Sequence, residues 1–498
     1  MSEPQPTQTG IGNCTLADIF AAQTRLTATD KALVEKAYDF ADSAHKDEIR
    51  FSGEPYLVHL CHTARNLAKL QMDAEVISAG LLHDSIDNAK ITEEQLSKIF
   101  GPEIAFLVEG VTKLGKLKYQ GRDRQAENLR KLFVAMAKDI RVIIVKFADR
   151  LHNVRTLEFV KPEKRKRIAI ETLEIYAPLA DRLGMGKLRE QLERSSFPHA
   201  YPAEFEMVKR LRKDGIGIDT EYLEKTYRHL QKELAGRGIK DADVSYREKE
   251  LYSLYKKLLR SEKNLDISKI NDIYAIRVIV PTLENSYQVL GIVHGMWRPV
   301  PERLKDYIAL PKLNGYQSIH TSVFTGDGHV VEIQIRTKEM HKEAEFGIAA
   351  HIAYTESGKP RTGGILSKKL AWVRQLIDWQ KQFAESGDFL ENLKIDFFVD
   401  RVFTFTPKGD VIELPEGSST LDFAYAIHSD VGDHASGAKI NGKFVSLETH
   451  LKNSDVVEIE TKKNSKPSSR WLEITKTAMA KKHIRTALGI SATKSKTK

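Results

Sequence analysis

The hydrophobic pattern changes period part-way along the chain, and that change restricts the folds open to it. From about residue 16 to 194 apolar residues recur at helical spacing almost without interruption. Val142, Val145 and Ala148 form one such stripe, widened by Ile143, Ile144 and Leu151. Phe197, Pro198 and Pro202 punctuate the end of this block, and a charged helical stretch runs on to Leu234. Strand signals begin at Ile239. Residues 273–280 are apolar and β-branched, a helix is expected over 287–296, and strands over 317–324 and 330–336. Such alternation predicts a mixed α/β domain. A Gly/Pro-rich connection (358–364) and a helix over 367–382 lead to short strands at 402–405 and 411–414, a helix over 421–428, a hairpin around Asn441-Gly442 and a last strand at 456–459.

With 498 residues, roughly three domains are expected. The division predicted is 14–196 all-α, 197–355 mixed α/β with leading helices, 356–395 linker and helix, 396–463 a small β-grasp module and 464–498 a basic end, with 1–13 disordered. The composition, 41% hydrophobic and 29% charged, belongs to a globular protein. No apolar run reaches the ~18 residues a membrane span needs, and MSEPQPTQTG has neither the basic start nor the apolar middle of a signal peptide. Only Cys14 and Cys61 occur, so no disulfide framework or cysteine-rich zinc site is expected, and the reducing cytoplasm is the expected compartment. The net charge of +9 is local: residues 461–498 hold eleven Lys or Arg against Glu473, and the remainder carries 66 basic and 67 acidic residues. A run like that is either a solvated end or one that attracts RNA phosphate.

Three groups of residues carry chemistry. His59, His83-Asp84 and Asp149 lie on three expected helices, a mixed nitrogen/oxygen set suited to manganese, iron or zinc rather than calcium. Asp149 with Asn153, His83 with Asp87, and Asp84 with Asn88 are each four residues apart, so each pair is expected on one helical face. In residues 330–336, Glu332, Gln334 and Arg336 face one side of a strand and Val331, Ile333 and Ile335 the other. Asp272 precedes another strand, so two carboxylates are available for Mg²⁺. Strict alternation sends Asp272 and Arg277 to opposite faces, so one of them requires a bulge or a strand end. Finally, Arg303-Leu304-Lys305-Asp306-Tyr307-Ile308 and Pro311-Lys312-Leu313-Asn314-Gly315-Tyr316-Gln317-Ser318-Ile319-His320 read as a loop entering a strand. They mix cations, an amide and an aromatic ring, as a site for phosphates and a stacked base would.

In that order, these segments resemble the long RelA/SpoT-type enzymes, which make and degrade the alarmone (p)ppGpp of the stringent response. Gly53-Glu54-Pro55-Tyr56-Leu57-Val58-His59, Leu81-Leu82-His83-Asp84 and Asp149-Arg150-Leu151-His152-Asn153 are similar to the family's HD hydrolase domain. The resemblance implies that His59, His83, Asp84 and Asp149 hold Mn²⁺, that Arg50 and Asn153 contact nucleotide, and that the 3′-pyrophosphate is removed there. The family pattern His-Asp-x-x-Glu-Asp, whose acids are thought to position and activate water, becomes His83-Asp84-Ser85-Ile86-Asp87-Asn88 in this chain. Asp87 is one methylene shorter, and Asn88 accepts no proton. Phe51 stands where a basic residue is usual.

The α/β segments resemble the family's synthetase, a nucleotidyltransferase-like domain. By that likeness Asp272 and Glu332 bind Mg²⁺ and Glu332 also acts as base. Arg247 and Lys249 grip ATP, with Arg277 on its phosphates. Tyr316 stacks on guanine among Arg303, Lys305, Lys312, Asn314, His320 and Gln334. Glu250 replaces a usual His in the ATP loop, and Arg303-x-Lys305-Asp306 matches the basic loop of bifunctional members. Residues 396–463 resemble a TGS domain, in which His428 would be a tRNA or ribosome contact. On residues alone His428 is a helix-terminal histidine. Longer members continue into regulatory domains beyond this point. The expected function is therefore a bifunctional (p)ppGpp synthetase/hydrolase using ATP and GDP or GTP, with reciprocal control of its opposed sites. The rival readings are a synthetase with a weak hydrolase and an RNA-binding regulator with vestigial sites.

Overall fold

The computed structural model describes residues 12–490 apart from 90, 116–131, 215–219, 261–264, 268–269, 271, 313, 327–328, 356–391, 393–395, 397–398 and 400. The expected linker at 358–364 and helix at 367–382 lie outside the described residues, as do most of the expected N-terminal disordered segment and the last eight residues. Two compact units are present, one from 1–116 and 132–374 and one that includes 375–498.

The helical part of the first unit contains α1 (Leu16–Ala22), α2 (Ala28–Ala44), α3 (Tyr56–Lys69), α4 (Ala74–Leu82), α5 (Glu93–Phe100), α6 (Pro102–Gly115), α7 (Arg141–Arg155), α8 (Pro162–Glu171), α9 (Ala177–Arg182) and α10 (Gly186–Ala200). Local chemistry starts these helices where the sequence prescribes. Thr27 and Asp30 form a capping box ahead of α2, and the Asp73 side chain accepts from Val76 N–H at 2.8 Å ahead of α4. The α7 stripe is met in full: Val142, Ile143, Ile144, Val145, Ala148 and Leu151 are all buried. α3, α4 and α7 pack on one another, so the face each turns inward is shared. Phe197 and Pro198 do not end their helix as punctuation; they sit in the last turn of α10, which stops at Ala200.

One expectation is corrected. Cys14 and Cys61 are joined as a disulfide, because α1 packs on α3 and brings their Cα atoms to 5.7 Å. Spacing gave no hint of this, since 47 residues separate the two.

α11 (Pro202–Asp214) and α12 (Thr220–Gly236) lead into the sheet domain: β1 (Asp243–Glu248), α13 (Leu251–Leu258), β2 (Tyr274–Val280), α14 (Leu283–Met296), β3 (Arg298–Pro299), β4 (Lys305–Asp306), β5 (Ile319–Phe324), β6 (Val330–Thr337), α15 (Lys338–Phe346) and α16 (Ile348–Thr355). The strands run in the order β1-β2-β6-β5-β3, with β4 also paired to β5. Only β2 and β6 are parallel among these pairs. The alternation read for β6 holds: Val331, Ile333 and Ile335 enter a core with Ile276, Val278, Val289, Val293 and Leu230, under α12 and α14. The opposite, polar face of the same sheet is left for chemistry.

The second unit holds β7 (Arg401–Phe405), β8 (Val411–Pro415), α17 (Thr420–Ile427), α18 (Ser429–Asp433), β9 (Ala435–Ile440), β10 (Lys443–Val445), β11 (Val457–Thr461), α19 (Trp471–Ile474) and α20 (Ala478–Ala487). The Asn-Gly hairpin is present, with Asn441 and Gly442 at φ 51° and 80° between paired Ile440 and Lys443. Ala480 and Ile484 of α20 share a core with Leu421 and Ala424, so the packed module runs past residue 463 into the basic end.

Candidate active sites

The first site is assembled where α3, α4 and α7 meet. His59, His83 and Asp149 are all buried and present ligand atoms within 4.8 Å of one another. His59 Nε2 lies 3.4 Å and His83 Nε2 3.7 Å from Asp149 Oδ1. Asp84 closes the set, its Oδ2 3.1 Å from His83 Nε2 and 3.8 Å from His59 Nε2. The arrangement fits a metal. His83 Nδ1 sits 2.9 Å from the Gly80 carbonyl, which accepts a proton and so fixes the tautomer that leaves Nε2 with a lone pair. That buried Nε2 has no hydrogen-bond partner despite its nearness to Asp84. Burial drives the His59 imidazole down to about 4; at His83 the same burial is outweighed by Asp84 and Asp149, which hold it up at about 10. Asp149, buried, and Asp84, half-buried, therefore favour a positive charge between the imidazoles, and a divalent cation there would take the place of the His83 proton.

Neighbours fix the ligands. Lys146 Nζ reaches Asp149 Oδ2 at 2.6 Å, leaving Oδ1 for the imidazoles, and Asn153 donates to Asp149 from one turn on. Tyr56 OH donates to Asp84 Oδ2 at 2.6 Å, and His152 Nδ1 lies 2.8 Å from His59 Nδ1. Arg50 Nη2 donates to Asn153 Oδ1 at 2.9 Å, joining the two residues expected at the nucleotide. Lys146, Tyr56 and His152 escaped the sequence reading, although Lys146 stands three residues before Asp149 and so on its face of α7.

Asp87 and Asn88 depart from expectation. α4 stops at Leu82, and 83–89 are turns, closed by Ser85 N–H on Leu82 O and Asn88 N–H on Asp84 O at 2.9 Å each. The pairs His83/Asp87 and Asp84/Asn88 therefore share no helical face. Asp87 and Asn88 are exposed, and Asn88 Nδ2 donates to Glu48 Oε2 at 3.3 Å.

The second site occupies the polar face of the sheet. Glu332 Oε1 accepts from Gln334 Nε2 at 2.6 Å and lies 3.3 Å from His320 Nδ1, whose Nε2 is 2.8 Å from Tyr316 OH. A carboxylate on Nδ1 fixes His320 as the tautomer that accepts from the tyrosine. Burial alone would raise the proton affinity of Glu332, but His320 and Gln334 outweigh it and hold the group at about 2. Such a carboxylate stays charged, which suits a metal ligand better than a proton acceptor. Lys312 Nζ lies over the rings of Tyr307 and Tyr316, 4.8 and 5.2 Å from their centroids.

Asp272 lies in the turn before β2, so a strand end resolves the facing conflict with Arg277. Its Oδ2 takes Lys249 Nζ at 2.7 Å and also Lys257, a residue the sequence reading missed although its spacing from Ser253 puts both on one face of α13. The Asp272 charge reaches Glu332 and raises its proton affinity. Arg277 shares Glu345 with Arg336 at 3.5 Å each; burial first, then Arg336 and Arg247, push Arg277 down to about 10.

Some expected residues are engaged elsewhere. Arg247 is bonded to Glu190 of α10, and Glu250 to Arg194 of the same helix, so the Glu250 charge is paired and its side chain half-buried. Asn314 Nδ2 donates to Asp181 O at 3.0 Å and its Oδ1 accepts from Tyr316 N–H at 3.1 Å, so its amide shapes the turn. Arg303 and Lys305 are exposed. Among the described residues, no helix is long and apolar enough to cross a membrane.

The fold and sites define a class: a chain with a helical His/Asp cluster able to hold a metal ion and a separate sheet face lined by carboxylates and cations. Comparison with known proteins agrees. Residues 37–186 match the HD domain model, 246–359 the region found in RelA/SpoT proteins and 402–461 the TGS domain. The chain is 48% identical over 463 residues to the GTP pyrophosphokinase of Myxococcus xanthus, covering 92% of this chain and 60% of that protein. It is 47% identical over 453 residues to a guanosine-3′,5′-bis(diphosphate) 3′-pyrophosphohydrolase of Aquifex aeolicus, covering 91% and 64%. With the bifunctional (p)ppGpp synthase/hydrolase SpoT of Escherichia coli it shares 42% over 467 residues, covering 94% and 66%. It belongs to the RelA/SpoT-type family, and spans about two thirds or less of the length of these relatives.

Proposed function

We propose that the chain is a two-headed alarmone enzyme of the cytoplasm. At the sheet face it moves pyrophosphate from ATP to the 3′-hydroxyl of GDP or GTP; at the helical centre it removes the 3′-pyrophosphate again. The observation that carries the reading is the presence of both polar centres, each complete in charge and donor type, in one folded unit. At the helical centre His59, His83, Asp84 and Asp149 would hold Mn²⁺, which when bound polarises phosphorus–oxygen bonds and activates water. Arg50 and Asn153 would orient the nucleotide.

At the sheet face Asp272 and Glu332 would hold Mg²⁺ between the substrates' phosphates. Arg247, Lys249 and Arg277 would bind ATP, and Tyr316, once Lys312 moves off its ring, would stack on guanine. The depressed proton affinity of Glu332 favours its metal role over a base role. In the second unit, His428 caps α18 by accepting from Asp430 N–H at 3.2 Å and is exposed, which leaves its ring edge free to meet an RNA end.

The test is nucleotide turnover in both directions on the unmutated chain. Production of ppGpp from ATP and GDP under Mg²⁺, and Mn²⁺-dependent pyrophosphate release from ppGpp above a His83→Ala control, are the expected results. Tight RNA binding with neither reaction would replace this reading by a regulatory one.

A further inference from the structure

The hydrolase half of the proposed function leaves one chemical gap. In the family pattern the sixth position of the His-Asp segment is an acid, and this chain has Asn88 there. An amide accepts no proton, so it cannot act as the base that a water attack on phosphorus requires.

The structure brings a carboxylate to that amide from another part of the chain. Glu48 Oε2 accepts from Asn88 Nδ2 at 3.3 Å, which orients that oxygen, while Oε1 lies 3.2 Å from the buried His45 ring. Two separate routes tie residues 48 and 88, through their main chains, to Asp84. Along one, Tyr56 N–H donates to Glu48 O at 2.9 Å while Tyr56 OH donates to Asp84 Oδ2 at 2.6 Å. Along the other, Asn88 N–H donates to Asp84 O at 2.9 Å. His45 stacks on the Tyr56 ring at 5.1 Å and is itself buried, which makes the platform under Glu48 rigid. Glu48 has 36% of its side chain exposed, against 5% for Asp149 and 26% for Asp84, so water reaches it more readily than it reaches either carboxylate of the cluster.

We propose that Glu48 supplies the carboxylate that position 88 lacks, and that Asn88 holds it in place. This rests on the hydrolase reading above. In the step, the water oxygen bonds to the phosphorus carried on the 3′-oxygen as that P–O bond breaks. Glu48 takes one proton from the attacking water and returns it to solvent, and the departing 3′-oxygen takes a proton from solvent, leaving GDP and pyrophosphate from ppGpp and water.

Glu48→Gln is the test, because glutamine still accepts from the Asn88 amide and so spares a merely structural role. The hydrolytic kcat falls about a hundredfold or more, with KM and Mn²⁺ affinity changed by less than about threefold. Adding Asn88→Asp to that variant restores at least about tenfold of the lost rate by returning an acid to the neighbouring position. Hydrolysis by Glu48→Gln at more than half the original rate, or no rescue by the double variant, overturns the assignment while the hydrolase reading stands. Absence of Mn²⁺-dependent hydrolysis in the unmutated chain removes both. Synthesis of ppGpp, measured on the same preparations, stays unchanged and reports that the variants are folded.

Discussion

At the residue scale, Lys146 decides how Asp149 is used. Its ammonium is held among α7 and its neighbours with Nζ on Asp149 Oδ2, where burial opposes its charge and Asp149 restores it. Replacing it by methionine keeps the stem and removes the charge. Asp149 then competes for a proton with less help, so Lys146→Met should weaken Mn²⁺ binding by about 10–100-fold, as losses of ligand-orienting partners do. Calorimetric titration of Mn²⁺ checks this, and unchanged affinity would show the pair to be structural. The cluster of His59, His83 and Asp149 was legible because histidine and aspartate carry their chemistry in their side chains. Lys146, Tyr56 and His152 were not, because their importance arises from what three separate helices place beside them. Cys14 and Cys61 were missed for the same reason: a pairing across 47 residues is decided by packing of α1 on α3.

At the scale of elements, periodicity and turn chemistry located helices and strands well, and edges less well. The clearest failure is the end of α4, where extending helical spacing through His83–Asn88 grouped residues that the turns separate. No Gly or Pro marks that stop. The helix expected over 421–428 runs from Thr420 to Ile427, and its start is set by a capping box in which Ser419 caps α17 and Asp422 answers it. Asp422 does more than the motif shows. At 1% exposure it also accepts from Lys476 N–H, Thr477 N–H and the Thr477 hydroxyl, pinning the segment that launches α20. Asp422→Ala would leave those buried donors unpaired, and should destabilise this unit by about 3–5 kcal/mol. Thermal unfolding should show the loss, while both nucleotide reactions proposed for the other unit should persist. A shift below about 1 kcal/mol would mean that water replaces the carboxylate.

At the scale of the whole first unit, α10 is the piece that neither half explains alone. It begins beside the helical centre's last turns and lays Glu190, Glu193 and Arg194 along the loop expected to hold ATP. Glu190 meets Arg247, Glu193 meets Lys256 and Ser253, and Arg194 meets Glu250. The preceding turn is equally tight on the other substrate loop. A Cβ on Gly184 would come within 2.8 Å of Asn314 O, and one on Gly347 within 2.3 Å of Leu183 O, so at these positive φ values only glycine fits. α10 thus meets the expected donor loop, and the turn before it the expected acceptor loop. Its sharpest consequence concerns charge. Arg247, Arg277 and Arg336 lie in one another's fields, and Glu190 and Glu345 are the acids that offset them. The Glu190 carboxylate therefore occupies Arg247 as a phosphate would, and a donor nucleotide bound there as proposed would have to displace it. Glu190→Gln keeps the shape and removes the charge. For a partly exposed pair the gain is modest, so MgATP should bind about three- to fivefold more tightly, measured with a non-hydrolysable analogue. Arg194→Gln, which loosens the same helix without touching Arg247, should leave that affinity where it was. Equal tightening in both variants would mean that docking of α10, rather than competition by its carboxylate, limits entry of the donor.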